Sequence, residues 1–199
     1  RLILGVGIGL GAWEWGEMGE EADQKTRGAM LDEALDLMTE IWSGEPVRHH
    51  GTYYHVDVAL PDGTTARFLP RPQQPRIPIW VAGMWPNKPP FRRAARWDGV
   101  FPISAVSELG EDPAFHPADL RTMLAYTHAH RTSDVPFDVV VGGVTDLAQA
   151  GAVSHVAAYA DAGATWWMED ISPWPYGWNW QGPWPVDAMR ARVRQGPPR

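Results

Sequence analysis

Glycines and aromatic residues, rather than a catalytic triad, are the residues through which this chain could bind a ligand. Gly5, Gly7 and Gly9 alternate within and after an apolar run that begins at Leu2. Glycines in a strand let a flat ligand or a neighbouring strand approach the backbone closely. Their spacing differs from the Gly-x-Gly-x-x-Gly of nucleotide-phosphate loops, and no helical pattern follows directly. We predict close approach by a ligand here, with packing as the alternative.

A second candidate site lies where the apolar run over residues 77–83 gives way to a helical pattern. The connection is Gly83-Met84-Trp85-Pro86-Asn87-Lys88. Free backbone N–H groups and the positive end of a helix dipole favour an anion at such a junction, and Lys88 adds a positive charge. An ordinary strand-to-helix connection without a ligand explains the same residues equally well.

Tryptophans form the third feature. The chain has 12 of them, and residues 174–184 include Trp174, Trp178, Trp180 and Trp184. Exposed aromatic rings stack on sugars or flat rings, whereas buried rings would clasp the rim of the domain. We predict a clasp for most of them and ligand contact for Trp174, which is nearest the end of the last predicted strand.

The remaining polar residues predict no metal site. His49, His50 and His55 cluster without a carboxylate at ligand spacing, and His128 and His130 fall on different faces of a predicted helix. The chain contains no Cys, which excludes disulfides, thiolate metal ligands and a cysteine nucleophile.

Charge and hydropathy exclude further partners. The net charge of -7 argues against a general nucleic-acid binder. No apolar run approaches the ~20 residues of a membrane span, and no signal-peptide pattern is present. We expect a cytoplasmic protein that binds a small organic molecule, and neither nucleic acid nor a membrane.

Alternating strands and helices must position these residues. Helical periodicity predicts a helix capped by Asp23 and further helices near residues 90–97, from Pro117, and over 148–162 and 185–194. Residues 45–76 predict an extended excursion with a small hairpin that turns near residues 61–63. Short apolar runs predict strands near residues 2–7, 77–83, 98–103, 137–143 and 164–169. This order implies a parallel sheet, either a barrel or a doubly wound layer, with ligands at the carboxyl ends of the strands.

Segments spread over much of the chain carry a family resemblance. They are residues 1–7, 30–35, 41–46, 50–54, 68–72, 77–83 and 92–99. Together they resemble the luciferase-like flavin-dependent oxidoreductases, which implies an α/β fold of the TIM, or (β/α)8, barrel type and a single domain over residues 1–199. A complete barrel usually needs ~250 residues, so the first three strands are expected to precede Arg1.

The resemblance also implies a cofactor, either FMN or a deazaflavin of the F420 type. In the family, the turn after the fifth strand receives the cofactor phosphate on backbone N–H groups. That turn maps to Ala82, Gly83, Met84 and Trp85, and the cofactor site would also include Gly7 and Gly9. The usual turn is richer in small residues, so Met84 and Trp85 are departures that either line the site or weaken phosphate binding.

The substrate pocket and the partners follow from the same resemblance. An apolar wall of Trp13, Trp15, Trp166 and Trp174 is expected to receive the substrate. The catalytic groups of the family lie largely in its first strands, so none is assigned in this chain. Sugar-phosphate dehydrogenases of the deazaflavin branch carry an acid where this chain has Leu10, which argues against that subgroup. A homodimer and a separate flavin reductase are expected partners.

These observations favour a flavin-dependent oxidoreductase or monooxygenase that transfers a hydride or oxygen between its reduced cofactor and an organic substrate. A deazaflavin-dependent oxidoreductase that does not use O2 is the first alternative. A carbohydrate-processing barrel is the second, with Glu169 and Asp170 as its carboxylates. An inactive fragment with open sheet edges is the third.

Overall fold

The computed structural model describes residues 2–9, 11–74, 76–104, 115–145 and 151–197, without the side chains of residues 12, 13 and 104. The chain divides into two compact units, residues 1–82 and 83–199. Each unit is described by itself, and the single domain expected over 1–199 stays a prediction.

The first unit contains one parallel strand pair, two helices and a hairpin. Its elements are β1 (Leu4–Val6), α1 (Ala12–Trp15), α2 (Gln24–Trp42), β2 (Arg48–His50), β3 (His55–Asp57) and the first part of β4 (Ile79–Trp85). Strand β1 pairs with β4 in parallel, with Gly5 opposite Trp80. The predicted cap is confirmed, because the Asp23 carboxylate accepts a 2.7 Å hydrogen bond from the backbone N–H of Thr26.

The excursion between α2 and β4 has two turns. Strands β2 and β3 are antiparallel and are joined through residues 51–54. The predicted turn at residues 61–63 is confirmed by an antiparallel bridge between Ala59 and Thr65 and by a 2.7 Å hydrogen bond from Leu60 N–H to Thr64 O. Between β1 and α2 the chain forms α1 and a one-turn 3-10 helix, Gly16–Met18.

The second unit repeats strand and helix. Its elements are α3 (Lys88–Ala94), β5 (Gly99–Ser104), α4 (Pro117–Ala129), β6 (Asp138–Gly143), α5 (Ala152–Asp161), β7 (Trp166–Glu169) and α6 (Val186–Gln195). The strands follow the order β1-β4-β5-β6-β7, and the pairs β5–β6 and β6–β7 are parallel. The predicted α/β alternation is therefore confirmed. Over the described ranges, no helix has the length and apolar character needed to cross a bilayer.

Strands β6 and β7 differ in burial. Val139, Val140 and Val141 of β6 are at most 3% exposed, although their side chains alternate between the two faces of the sheet. In β7, Trp166 and Met168 align with Val140 and Gly142 and are 47% and 49% exposed. Both faces of β6 are therefore covered, and the exposed side chains belong to β7, the last strand in the sheet order.

Two boundaries near residue 85 differ from the prediction. Strand β4 continues to Trp85, so residues 81–85 are strand rather than turn, and the turn lies at residues 86 and 87. Helix α3 begins at Lys88, before the predicted start at Pro90. The reason is that Pro89 and Pro90 are tolerated in the first helical turn, where a backbone N–H has no intrahelical partner.

Candidate functional site

The carboxyl end of β1 offers an open surface in the first unit. A Cβ atom added at Gly5 would meet nothing within 4 Å, and one at Gly7 would lie 3.6 Å from the Cβ of Ala82, an ordinary contact. Packing therefore does not require glycine at either position. We call the surface formed by Gly5, Gly7 and Ala82 the glycine floor. Its openness is what the close approach of a flat ligand needs.

Gly9, in contrast, is explained by packing. Its φ is +83°, and an added Cβ would overlap the indole ring of Trp15. That ring lies under the guanidinium of Arg27, 4.2 Å from its centroid, and the Nε of Arg27 donates a 2.7 Å hydrogen bond to Ile8 O. Trp15 is thus held between the chain after β1 and α2. Trp13 lies beside it in α1, and its side chain is outside the described part of the structure.

Strand alternation separates the two unusual residues at the end of β4. The ring of Trp85 packs edge-on against Phe91 of α3, with centroids 5.1 Å apart, and lies 6.2 Å from the ring of Tyr126 in α4. Met84 lies on the opposite face of the strand. Trp85 therefore packs against the helices, whereas Met84 faces away from them.

The backbone around the start of α3 has few free donors for a phosphate. Pro89 and Pro90 carry no N–H, and the N–H of Asn87 donates to Met84 O at 2.9 Å. Gly83 gives space to Pro90, since an added Cβ would overlap that ring. The helix has 7 residues, too few for a strong dipole.

Positive charge is present at the same place. The ammonium of Lys88 lies 3.7 Å from the ring centroid of Trp85 and 4.5 Å from that of Tyr126. Arg92 follows one turn later and contacts the hydroxyl of Tyr126 at 3.4 Å. A phosphate bound at this place would depend more on Lys88 than on a backbone cradle.

Two of the tryptophans predicted to line the substrate pocket, Trp166 and Trp174, lie in the second unit, near opposite ends of β7. Trp166 is the first residue of β7, and its Nε1 donates a 3.0 Å hydrogen bond to Asp138 at the start of β6. It therefore lies at the amino end of the strands, whereas the prediction requires the carboxyl end. Trp174 follows the carboxyl end of β7, as the prediction requires, and is 43% exposed.

Trp174 belongs to a group of four indole rings, which we call the tryptophan cluster. Its members are Trp174, Trp178, Trp180 and Trp184. The ring centroids of Trp178 and Trp180 each lie 4.7 Å from that of Trp174, and Trp184 lies 6.3 Å from Trp178. Trp180 and Trp184 are 79% and 57% exposed. The predicted buried clasp is therefore wrong for Trp180 and Trp184.

Glu169, at the end of β7, is a structural carboxylate. It accepts hydrogen bonds from the backbone N–H and the hydroxyl of Thr145, both at 2.7 Å, from Trp167 Nε1 at 3.0 Å, and from Arg192 Nε at 3.1 Å. Burial alone would raise the pKa of Glu169, but these hydrogen bonds outweigh it and lower the pKa. The general acid of a glycosidase needs a raised pKa. Glu169 therefore does not suit the role of general acid that the carbohydrate-processing hypothesis requires.

A second structural carboxylate lies in the first unit, and the sequence did not reveal it. Glu33 of α2 accepts hydrogen bonds from the backbone N–H groups of Thr52, Tyr53 and Tyr54, the shortest at 2.7 Å, and contacts His49 Nε2 at 3.2 Å. Desolvation acts to raise the pKa of Glu33, but the hydrogen bonds prevail and the pKa is lowered. Glu33 thus ties the hairpin to α2.

A metal centre or a surface cavity would be other kinds of site in the described ranges. No group of three or more His, Asp or Glu residues there could hold a metal ion. A shallow depression of about 620 Å³ lies between the end of α2 and residues 67–73 of the excursion. It contains none of the predicted site residues.

Alternating parallel strands and helices are the architecture of barrel and doubly wound α/β folds. The sequence matches the family described as luciferase-like monooxygenase over residues 1–145. Because this match covers more than half of the chain, the chain belongs to the luciferase-like family, whose fold is the TIM barrel. The chain therefore has the fold class that the resemblance implied, as an incomplete barrel.

Curated relatives show what the chain is similar to. It is 40% identical over 88 residues to an F420-dependent glucose-6-phosphate dehydrogenase of Gordonia bronchialis, a match covering 43% of this chain and 24% of the relative. It is 32% identical over 143 residues to the enzyme of the same name from Microbacterium testaceum, covering 67% and 36%. The oxygenase component of a flavin-dependent trigonelline monooxygenase from Acinetobacter baylyi is 33% identical over 92 residues, covering 46% and 23%. The chain thus spans 23% to 36% of the length of these relatives.

Proposed function

We propose that this chain contributes the cofactor-binding part of an oxidoreductase in which a hydride passes between a flavin-type cofactor and a small organic substrate. The glycine floor is the observation that carries the proposal. It leaves an open surface at the carboxyl end of β1, and packing does not require glycine there. Ligands of barrel enzymes bind at that end of the strands.

A deazaflavin of the F420 type is the cofactor that we favour. The relatives from Gordonia and Microbacterium support it, because both are named as F420-dependent. FMN is the second candidate, supported by the flavin-dependent monooxygenase from Acinetobacter. With FMN, a flavin reductase would supply the reduced ring and O2 would be a co-substrate. When bound, a deazaflavin ring would supply hydride transfer and a reduced FMN ring would supply electrons to O2, while the protein supplies position and shielding.

The residues of this chain would act by binding and orienting. Gly5 and Gly7 let a flat ring approach the backbone of β1, and Ala82 adds little bulk beside them. In the second unit, Lys88 offers a cation that could neutralise part of the charge of a phosphate, and its position is fixed by the rings of Trp85 and Tyr126.

The test is a direct binding titration of the 199-residue chain with F420 and, separately, with FMN. Fluorescence and absorbance of each cofactor would be followed at equilibrium. We expect saturable binding of one of them. Gly5→Leu should abolish it by filling the floor, and Gly5→Ala, the matched control, should retain it. Both variants should fold, since a Cβ at Gly5 meets nothing within 4 Å.

Two results would overturn the proposal. One is the absence of binding of both cofactors by the parent chain, which is also what an inactive fragment predicts. The other is binding by Gly5→Leu with parental affinity, because the ring would then lie elsewhere. Circular dichroism of each variant would confirm that the fold is retained.

A further inference from the structure

We propose that the tryptophan cluster is a substrate-recognition surface that takes a planar ring compound without negative charge. Calling the bound compound a substrate rests on the proposed function. The surface is argued from its own geometry and charge, and its chemistry differs from what a sugar phosphate would need.

The rings of the cluster contact one another yet remain open to solvent. The centroid of Trp178 lies 4.7 Å from that of Trp174 and 5.6 Å from that of Trp180. Trp174, Trp180 and Trp184 are nevertheless 43%, 79% and 57% exposed. Exposed apolar surface of this size usually marks an interaction site, and indole faces favour stacking with flat rings.

The backbone holds the cluster in a conformation that costs energy. Trp180 has a φ of +69°, which residues other than glycine rarely adopt, and Gly177 and Gly182 on either side have φ of +79° and +73°. The Nε1 of Trp178 donates a 3.1 Å hydrogen bond to Gly182 O across this turn. Such local strain persists where a particular side-chain arrangement is maintained, often at ligand sites.

The cluster lies where ligands are expected in this fold. It begins five residues after Glu169, the last residue of β7. The backbone N–H of Asp170 donates a 2.7 Å hydrogen bond to Gly143 O, the end of β6, so the segment leaves the sheet at its carboxyl edge. Active sites of barrel enzymes are built from loops at this edge.

The segment that carries the cluster contains no cationic side chain. Residues 170–189 include two carboxylates, Asp170 and Asp187, and no Lys or Arg. The first two arginines of α6 are engaged, Arg192 with Glu169 at 3.1 Å and Arg190 with Asp187 at 3.8 Å. A phosphate or carboxylate bound by residues 170–189 would therefore find no Lys or Arg of that segment to pair with.

This conclusion separates the chain from two of its relatives. The proteins from Gordonia and Microbacterium are named as glucose-6-phosphate dehydrogenases. Phosphate recognition normally uses Arg, Lys or backbone N–H groups. An aromatic surface on a segment without Lys or Arg suits a neutral or cationic ring instead, because the face of an indole is electron-rich.

The experiment is saturation-transfer NMR on the 199-residue chain with three probes. 2-Naphthol and 2-naphthoate share one ring system but differ in charge at neutral pH, and glucose 6-phosphate represents the relatives. Trp174→Ala and Trp180→Ala would test the cluster. Trp166→Ala is the matched control, because Trp166 is 47% exposed but lies at the amino end of β7.

We expect 2-naphthol to bind the parent chain and the control, with affinity lowered roughly fivefold to tenfold in each cluster variant. 2-Naphthoate should bind more weakly than 2-naphthol, and glucose 6-phosphate should give no signal that depends on the cluster. Preference for 2-naphthoate, or glucose 6-phosphate binding that Trp174→Ala removes, would overturn the proposal. So would parental affinity for 2-naphthol in both cluster variants, or cluster substitutions that change only the oligomeric state in sedimentation.

These outcomes are distinguishable from failure of the proposed function. The probes require no cofactor, so 2-naphthol can bind the cluster even if neither F420 nor FMN binds the chain. Conversely, if Gly5→Leu blocks cofactor binding, the proposed function is supported even when 2-naphthol does not bind the tryptophan cluster. Trp180→Ala is expected to fold, since the Trp180 side chain is 79% exposed.

Discussion

Glu33 and Glu169 each attach one element to the rest of its unit, but they accept hydrogen bonds from different kinds of donor. Glu33 receives three consecutive backbone N–H groups and a histidine, and it ties the hairpin of the first unit to α2. Glu169 receives one backbone N–H, a hydroxyl, an indole and a guanidinium, and it ties α6 of the second unit to the ends of β6 and β7. Both carboxylates have a lowered pKa.

The difference in donors indicates which substitutions would disrupt each carboxylate site. The Glu33 site depends on the shape of the backbone, and Gly51 permits it, because an added Cβ there would overlap the carboxylate. The Glu169 site depends on side chains from three separate segments, among them Arg192, which is 10% exposed. Loss of one partner there leaves other buried polar groups unpaired.

The largest effect is expected from Glu169→Ala. The change leaves Arg192 and Thr145 without their main acceptor, so the free energy of unfolding should fall by about 3 kcal/mol. Urea denaturation followed by tryptophan fluorescence would measure it. Glu45→Ala is the control, since Glu45 is 67% exposed and lies 3.7 Å from Arg67. An equal fall in the free energy of unfolding in Glu169→Ala and Glu45→Ala would contradict the structural role of Glu169.

Low pH should weaken the Glu33 and Glu169 sites together. A carboxylate whose pKa is lowered by folding stabilises the protein above its ordinary pKa of 4.5, and this contribution is lost as pH falls through the lowered value. We therefore expect Tm to fall as the pH is lowered below about 4.5. Glu169→Gln should flatten part of that fall. Calorimetry between neutral pH and pH 3 would show it, and a parental profile in the variant would count against this assignment.

The smallest effect on Tm is expected from Glu33→Ala, because water can reach the hairpin that Glu33 attaches to α2. Tm should fall less than in Glu169→Ala. Hydrogen exchange should instead show faster exchange at the amides of Thr52, Tyr53 and Tyr54. Gly51→Ala should reproduce this pattern by displacing the carboxylate. Unchanged protection of these three amides would show that Glu33 does not hold the loop.

Local patterns predicted the elements well. The Asp23 cap, the periodicity of α2 and the short apolar runs of β4 to β7 depend on residues close in sequence. The glycines of β1 also gave a local signal, since their alternation in an apolar run predicted close approach by a ligand with packing as the alternative, and their ligand role stays a prediction. The family resemblance then placed these elements in a barrel.

Contacts between distant residues decided the rest. Gly9 was expected to serve a ligand, but it accommodates the Trp15 ring, which no local pattern shows. The faces of Met84 and Trp85 depend on β4 continuing beyond residue 83. The Glu33 site joins residues 16 to 21 positions apart without a periodic signal. Leu10, which bears on the sugar-phosphate subgroup, lies outside the described residues.

The absence of Lys and Arg between Arg131 and Arg190 has a practical consequence for the chemist. Trypsin cleaves after these residue types, so it would release residues 132–190 as one long peptide. That peptide contains six of the 12 tryptophans, including the whole tryptophan cluster. A photoreactive ring compound that becomes attached to the cluster would therefore shift the mass of this single fragment, and mass spectrometry would locate it without any engineered label.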